Sequence, residues 1–217
     1  MTVTSKNSES KMIFNKKKII SFLVSGNGSN FKAVAENIIS GYINAEPGIV
    51  ISSRIDAPAL KKSEDLGFRS ISIQPEKFKT KKEYENEMIK LLNFYQTDLI
   101  VAAGFMKILS PEFVSHFKYK IINIHPSLLP SFPGKNAQQQ ALDFGVKITG
   151  CTTHFIDEGT DTGPIIMQAA LKIVPDDDIR TLSTKILEKE HEILIESVKL
   201  FCENKITFKE NRSFIRQ

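Results

Sequence analysis

Asn123 and His125 are separated by one residue at the end of a short apolar segment. If this segment is a β-strand, the two side chains share a face, because residues i and i+2 of a strand point the same way. A carboxamide and an imidazole would then face one spot at the carboxyl end of the strand, where open α/β sheets bind ligands. A histidine at a strand end is as often a hydrogen-bonded structural residue, so the pair alone leaves both interpretations open.

A polar loop that contains Asp157, Glu158 and Asp161 separates two later apolar segments. One interpretation is that a carboxylate of this loop reaches His125, fixes the tautomer of its ring and stabilises its protonated form. The other is that the acids serve only solvation and turn formation. His154, just before the loop, is predicted to support the site.

The segment 25–30, SGNGSN, follows the first apolar run and precedes a helical pattern. Free backbone N–H groups at a helix N-terminus suit a phosphate, and glycines let a ligand approach the backbone closely. The segment lacks the third glycine of the dinucleotide fingerprint and the Gly-Lys pair of a Walker motif. The pattern favours a phosphate site, with a tight turn capped by Ser29 or Asn30 as the alternative.

Alternating strand and helix patterns must position these three groups. Short apolar runs predict strands at 19–24, 48–53, 69–73, 98–103 and 120–124, and helical spacing predicts helices at 30–40, 57–66, 81–95 and 111–117. Beyond residue 136 we predict a helix at 137–144, antiparallel strands at 147–155 and 164–173, and a long helix at 179–202. The fold class is therefore α/β: a single domain with a mostly parallel, doubly wound, Rossmann-like sheet, helices on both faces and an antiparallel C-terminal strand addition.

The length of 217 residues favours one domain, and the formal net charge is +4. All of that excess lies within residues 1–18, where Glu9 is accompanied by Lys6, Lys11, Lys16, Lys17 and Lys18. We predict a disordered extension over 1–18 and a folded domain over 19–217. The neutral body disfavours nucleic-acid binding. The longest apolar stretch, 99–106, is far shorter than the roughly 20 residues of a membrane-spanning helix, so we expect no membrane insertion.

The two cysteines, Cys151 and Cys202, form no CxxC pair, and the four histidines form no HxH or HxxxH pair. This distribution excludes a disulfide framework and predicts no metal site. So few cysteines fit a reducing compartment, and we expect a cytoplasmic protein.

Five segments stand out together: SGNGSN (25–30), AGFMKILSP (103–111), NIHPSLLPSFPG (123–134), TTHFIDEGTDTGPII (152–166) and LEKEH (187–191). In motif, order and spacing they resemble the phosphoribosylglycinamide formyltransferase family, the glycinamide ribonucleotide transformylases. The likeness runs from Ile19 to the region of Lys205. It implies transfer of a formyl group from 10-formyltetrahydrofolate to the amine of glycinamide ribonucleotide in purine biosynthesis, by direct attack.

The resemblance also implies the roles of the reacting groups. Asn123 would hold the formyl oxygen, His125 would be the general acid and base, and Asp161 would be its carboxylate partner. For the ribonucleotide, Gly28, Ser29 and Asn30 would bind the phosphate, and Glu190 would recognise the glycinamide end.

For the folate co-substrate, the resemblance implies a pterin pocket lined by Met106, Lys107, Ile108 and Leu109. Asn123 and the loop from Asp157 to Asp161 would also contact the folate, and Lys81 would meet its glutamate tail. Small-molecule substrates are therefore expected as partners, with the protein a monomer or a weak homodimer.

Three rivals remain open. A formyltetrahydrofolate deformylase uses a related site with water as acceptor but usually carries an N-terminal regulatory domain, for which residues 1–18 are too few and too polar. A methionyl-tRNA formyltransferase needs a further C-terminal domain and a basic surface. A non-catalytic nucleotide-binding module would tolerate loss of His125 or Asp161, and both are present.

The sequence departs from the family just after FPG, where many bacterial relatives carry one or two histidines and this chain has Asn136 and Gln138. We expect altered local contacts there and retained chemistry. The Lys-rich extension is also outside the family pattern.

Overall fold

The computed structural model describes residues 16–216, and its centre is a seven-stranded sheet. The strands are β1 (Lys18–Val24), β2 (Ala45–Ser52), β3 (Arg69–Ser72), β4 (Leu99–Ala102), β5 (Ile121–His125), β6 (Ile148–Phe155) and β7 (Ile165–Lys172). Their order across the sheet is β3-β2-β1-β4-β5-β6-β7. The first five strands pair in parallel, whereas β6 and β7 are antiparallel additions. The predicted fold class is thereby confirmed.

The connecting helices are α1 (Ser29–Ile39), α2 (Pro58–Asp65), α3 (Lys81–Phe94), α4 (Pro111–His116), α5 (Ala137–Phe144) and α6 (Ile179–Cys202). Each predicted strand and helix is present, with small differences at the ends. Side-chain caps fix several helix starts: the side chains of Thr80, Ser110 and Asp178 accept hydrogen bonds from the first turns of α3, α4 and α6. A short 3₁₀ turn, Pro75–Lys77, precedes α3 and has no counterpart in the sequence-based prediction.

Two apolar cores lie on the two faces of the sheet. On one face, Phe22 of β1 meets Phe31 and Phe68 edge to face, with ring centroids 4.9 to 5.9 Å apart, and α1 and α6 cover them. On the other face, Leu23 and Ile100 pack against α3 and α4. Because both faces are covered, the central strands are continuous apolar runs rather than alternating ones.

A hairpin formed by β8 (Ile206–Lys209) and β9 (Arg212–Ile215) follows α6, and the sequence patterns do not predict it. Phe208 stacks on Tyr119 with 4.1 Å between ring centroids and lies 5.0 Å from the ring of Phe155. The hairpin has no Asn-Gly or Asp-Gly turn, the strongest short-range signal for such an element. It is therefore held by tertiary packing that local sequence does not reveal.

The predicted disordered extension, residues 1–18, falls largely outside the described residues, and β1 begins at Lys18. The boundary between extension and domain therefore stays a prediction. Among residues 16–216, no helix is both long and apolar enough to cross a membrane.

Candidate active site

Asn123 and His125 lie at the carboxyl end of β5, the last parallel strand of the sheet. The antiparallel strand β6 beside it sets His154 opposite Asn123 and Thr152 opposite His125. The parallel strands β1 and β4 end at the same edge, so the loops that follow them lie on the same side of the sheet as His125. This edge is where open α/β sheets bind ligands.

His154 holds the amide of Asn123. Its Nδ1 donates to the carbonyl oxygen of Phe155 at 3.0 Å, which leaves Nε2 to accept from Asn123 Nδ2 at 3.1 Å. Burial lowers the pKa of His154, and this effect exceeds the opposing effects of the Phe155 carbonyl and of Asp161. The ring is therefore neutral near pH 7, in the tautomer that orients Asn123.

Asp161 approaches both histidines. Its Oδ2 lies 3.3 Å from His125 Nδ1, and its Oδ1 lies 3.6 Å from His154 Nε2. Oδ2 also accepts a hydrogen bond from the backbone N–H of Gly134 at 2.8 Å. The loop between β6 and β7 thus brings its carboxylate to His125, and Asp161 adopts a left-handed backbone conformation there, with φ 56°.

The second nitrogen of His125 also has an acceptor, because Nε2 donates to the carbonyl oxygen of Phe132 at 2.9 Å. With an oxygen near each ring nitrogen, the histidine can interact favourably with both only when it is doubly protonated. The segment that carries Phe132 is fixed to β6: the hydroxyl of Thr152 accepts from Leu129 N at 3.0 Å and donates to Ser127 O at 2.7 Å. Hydrogen bonds to β6 therefore help to position the segment beside His125.

Asp157 has a different position from Asp161. Its Oδ1 accepts from the backbone N–H of Gly159 at 3.1 Å and from the Thr162 hydroxyl at 2.7 Å. Gly163 allows this tight loop, since a Cβ there would lie 1.9 Å from the carbonyl oxygen of Phe155. The carboxylate of Asp157 thus shapes the loop that carries Asp161.

The loop 25–30 has the features of a phosphate site. Gly28 precedes α1 with φ 72°, and a Cβ at this position would lie 2.6 Å from the Cβ of Ala59. Within the described part of the chain, no side chain caps the first turn of α1 and no acid lies in that turn, so neither Ser29 nor Asn30 is the helix cap. The ammonium of Lys62 binds Asn27 at 2.7 Å and adds positive charge beside the loop.

Asn30 and Glu190 contact each other, although they are far apart in sequence. Asn30 Nδ2 donates to Glu190 Oε2 at 2.9 Å, and both residues are buried. Burial raises the pKa of Glu190, and the hydrogen bond from Asn30 opposes that effect. Among residues 16–216, Asn30 Oδ1 has no hydrogen-bond partner. The side chain of Asn30 is therefore engaged in a hydrogen bond with Glu190, and α6 brings this acid beside the loop 25–30.

The segment after β4 exposes two large apolar side chains. Met106 is 77% and Ile108 80% exposed, whereas Leu109 is half-buried against the core next to α3. Lys107 is exposed as well. Lys81, at the start of α3, lies 3.8 Å from Glu85, which binds Ser110 at the end of this segment. The chemistry of Met106 and Ile108 suits a flat apolar ligand.

Comparison with known proteins agrees with this geometry. A family model described as "Formyl transferase" matches residues 17–198, most of the chain. The chain belongs to the formyl transferase family. The phosphoribosylglycinamide formyltransferase of Escherichia coli is 33% identical over 193 residues, which are 89% of this chain and 91% of that protein. The human trifunctional purine biosynthetic protein adenosine-3 is 38% identical over 91% of this chain, which spans only 20% of that protein.

Solved structures of proteins with different named activities share the architecture. The glycinamide ribonucleotide transformylase 1 of Symbiobacterium toebii superposes with a TM-score of 0.91 at 36% identity and covers 93% of this chain and 95% of its own. A formyltetrahydrofolate deformylase from Pseudomonas syringae superposes with a TM-score of 0.87 at 25% identity, over 94% of this chain and 67% of its own. The fold is thus shared by a protein named as a transformylase and by one named as a deformylase.

Some contacts of this formyl transferase could not be predicted from the sequence. The carbonyl of Phe132 and the amide of Gly134 act through the backbone, so no residue type marks them. Lys62 lies in an ordinary helical pattern, and only the fold brings it to Asn27. Within the described ranges, no group of three or more histidine, cysteine or acidic side chains is arranged to hold a metal ion.

Proposed function

We propose that the chain transfers a formyl group from 10-formyltetrahydrofolate to the primary amine of glycinamide ribonucleotide, a step of purine biosynthesis. The observation that carries the proposal is the cluster of Asn123, His125, His154 and Asp161. The same edge of the sheet carries the loop 25–30, which has the features of a phosphate site, and the segment after β4, which exposes Met106 and Ile108. The relatives named phosphoribosylglycinamide formyltransferase support this choice of reaction.

The amide of Asn123 would stabilise the formyl oxygen as it becomes negative. One N–H of the Asn123 amide donates a hydrogen bond to His154 Nε2, so the second N–H is left to donate to the formyl oxygen. An oriented donor of this kind contributes about 3 kcal/mol of transition-state stabilisation. Because His154 fixes the amide beforehand, little reorganisation is needed when the charge develops.

His125 would carry the proton of the reaction. A bond forms between the amine nitrogen and the formyl carbon, the bond from that carbon to the folate nitrogen breaks, and one proton passes from the first nitrogen to the second. Positioned acid–base groups accelerate such steps by roughly 10²–10⁴-fold. Since both ring nitrogens have partners, Phe132 O and Asp161, proton transfer requires one of them to be exchanged for substrate.

Asp161 would orient the ring of His125 and stabilise the positive charge that this ring carries during proton transfer. Its Oδ2 is 3.3 Å from Nδ1, and its side chain is largely buried, so solvent screens the attraction only weakly. The hydrogen bond from Gly134 orients the same oxygen. Asp161 thus acts on the ring and not on the reacting carbon.

The ribonucleotide would bind through the backbone at Gly28 and Ser29. The free N–H groups at the start of α1 and the charge of Lys62 favour its phosphate. Asn30 would contribute by orienting Glu190, which would recognise the glycinamide end. The folate would lie against Met106 and Ile108, with Leu109 supporting that surface from inside and Asp157 shaping the opposite loop. Lys107 and Lys81 would face its acidic parts.

A spectrophotometric assay tests the proposal. The absorbance of 10-formyl-5,8-dideazafolate is followed with and without glycinamide ribonucleotide, and consumption is expected only with it. His125→Ala should abolish consumption. His116→Ala is the matched control, because His116 is an exposed histidine that contacts Asn93. Equal activity of the two variants, or no consumption by the wild type under either condition, would contradict the proposal.

A second candidate is a deformylase, which the Pseudomonas syringae structure favours. In that reaction water replaces the amine, and the same assay separates the two. Consumption that proceeds without the ribonucleotide and yields formate would indicate hydrolysis. Consumption that depends on the ribonucleotide and yields its formyl derivative excludes it.

A further inference from the structure

The loops after β1, β2 and β4 are tied together by two buried hydroxyl groups. Ser25 follows β1 and Ser53 follows β2, and their Oγ atoms are 2.7 Å apart. The backbone N–H of Met106, after β4, donates to Ser25 Oγ at 2.9 Å. Ser25 is 4% and Ser53 1% exposed, so both hydroxyl groups are largely shielded from water. The hydroxyl of Ser25, at the start of the loop 25–30, thus holds the Met106 peptide in the segment after β4.

The segment 104–110 has few other backbone attachments. Considering partners within residues 16–216, its N–H groups make two hydrogen bonds, from Met106 to Ser25 and from Ser110 to Glu85. No helix or strand includes these residues. The side chains of Met106 and Ile108 stand in solvent and add little packing. Phe105 packs against the core through its side chain, and the hydroxyl of Ser25 is the partner that holds the backbone of the first half of the segment.

We propose that Ser25 is a positioning residue for the folate: its hydroxyl, oriented by Ser53, holds the Met106 peptide so that the apolar side chains of 106 and 108 form one binding surface. The inference rests on the proposed function, because it assigns the folate to this segment. Ser25 touches neither reacting group in this scheme. It acts through Met106, and its own backbone stays in the loop that binds the ribonucleotide.

A matched control exists on the same strand. Ser21 is a fully buried serine of β1 whose hydroxyl accepts from Ile49 N at 3.1 Å and pairs with Thr97 Oγ1 at 2.7 Å. It makes the same two kinds of bond as Ser25, but toward the opposite end of β1. Ser21→Ala therefore reproduces the loss of a buried hydroxyl without touching the segment 104–110.

The experiment compares Ser25→Ala, Ser53→Ala and Ser21→Ala with the wild type. Dissociation constants for a 5,8-dideazafolate analogue and for glycinamide ribonucleotide are measured by calorimetry, and kcat and KM by the formyl-transfer assay. Ser25→Ala is expected to weaken folate binding about tenfold, since the Met106 N–H loses its acceptor, while the ribonucleotide constant changes less than about twofold. Ser53→Ala should weaken folate binding by a smaller factor, and Ser21→Ala should leave both constants unchanged.

Amide hydrogen exchange at Met106 provides a readout that a general loss of stability does not mimic. Ser25→Ala should speed exchange at Met106, while exchange in β1 should match that of Ser21→Ala. Unchanged folate affinity in Ser25→Ala, or an equal loss of both affinities, overturns the inference. If Ser25→Ala fails to fold, Ser53→Ala decides by the same criteria. A wild type that binds the folate analogue but does not formylate the ribonucleotide refutes the proposed function alone, and the variants still test the role of Ser25.

Discussion

His154 Nε2 lies 3.1 Å from Asn123 Nδ2 across the β5–β6 pair, so a buried histidine orients the amide that the proposed reaction uses. The contact depends on a neutral ring, because only an unprotonated Nε2 accepts a hydrogen bond. Burial maintains that state by lowering the pKa of His154. The strand β5 thus carries Asn123 and His125, the two groups proposed for the reaction, and β6 carries His154, which orients the Asn123 amide.

His154→Phe should lower kcat about tenfold with little change in either KM. The substitution keeps a buried aromatic ring at this position but removes the nitrogen that orients the amide of Asn123. Steady-state kinetics with both substrates varied measures the effect. An unchanged kcat would show that Asn123 does not need this partner.

Stability should depend on pH through the same histidine. Because burial lowers the pKa of His154 below its ordinary 6.5, the unfolded chain takes up the proton first on acidification. The contribution of His154 to the free energy of unfolding is thus complete above pH 6.5 and is lost as the pH falls below it.

Denaturant unfolding of wild type and His154→Phe measures this difference from about pH 8 to about pH 5.5. Burial also lowers the pKa of His191, but this residue is present in both proteins and cancels in the comparison. The wild type should lose more stability than the variant as the pH falls. If the unfolding free energies of the two proteins changed in parallel with pH, the contribution assigned to His154 would be contradicted.

Asp161→Asn should reduce kcat by a factor of about 10² to 10⁴ and leave the affinity for the ribonucleotide nearly intact. The substitution keeps an oxygen for the Gly134 N–H but removes the charge beside His125. Stopped-flow turnover and calorimetry of ribonucleotide binding separate the two effects. Asp157→Asn is the comparison, since Asp157 bonds within its own loop, and a larger loss of kcat there would reverse the proposed roles.

Gly28→Ala should impair both folding and ribonucleotide binding. Gly28 has a φ of +72° and its Cβ would meet Ala59, whereas Gly41 has a φ of +80° and open space around it. Gly41→Ala is therefore expected to cost about 1 kcal/mol of unfolding free energy from backbone strain. Gly28→Ala should cost about 2 kcal/mol more from the clash, and it alone should raise the KM for the ribonucleotide. Equal effects would show that the close approach to Ala59 is unimportant.

The parallel part of the fold could be predicted because its signals are local. The strand β1 is a run of apolar residues that ends at Ser25-Gly26, and Gly67 follows α2, so periodicity and punctuation agree with the structure. The hairpin β8–β9 lacks such signals. Its position depends on Phe208 reaching Tyr119, a residue far away in the sequence.

The site shows the same division. Asn123, His125 and Asp161 could be named from residue types and from a family resemblance, and the fold brings them together. The functional roles assigned to them stay predictions. The family resemblance assigns Asn30 to the phosphate, which stays a prediction, but neither it nor the sequence pattern reveals the bond of the Asn30 side chain to Glu190 across the interface of α1 and α6. Such pairings follow from helix packing, which a one-dimensional pattern does not contain.

The carboxylate of Asp161 has a consequence for inhibitor design. A single oxygen, Oδ2, contacts both the His125 ring and the Gly134 amide, so a small molecule that displaces Gly134 removes one of the hydrogen bonds that hold the carboxylate beside its histidine. Asn136 and Gln138 follow Gly134 closely in the sequence, so we expect them to influence the selectivity of such a compound.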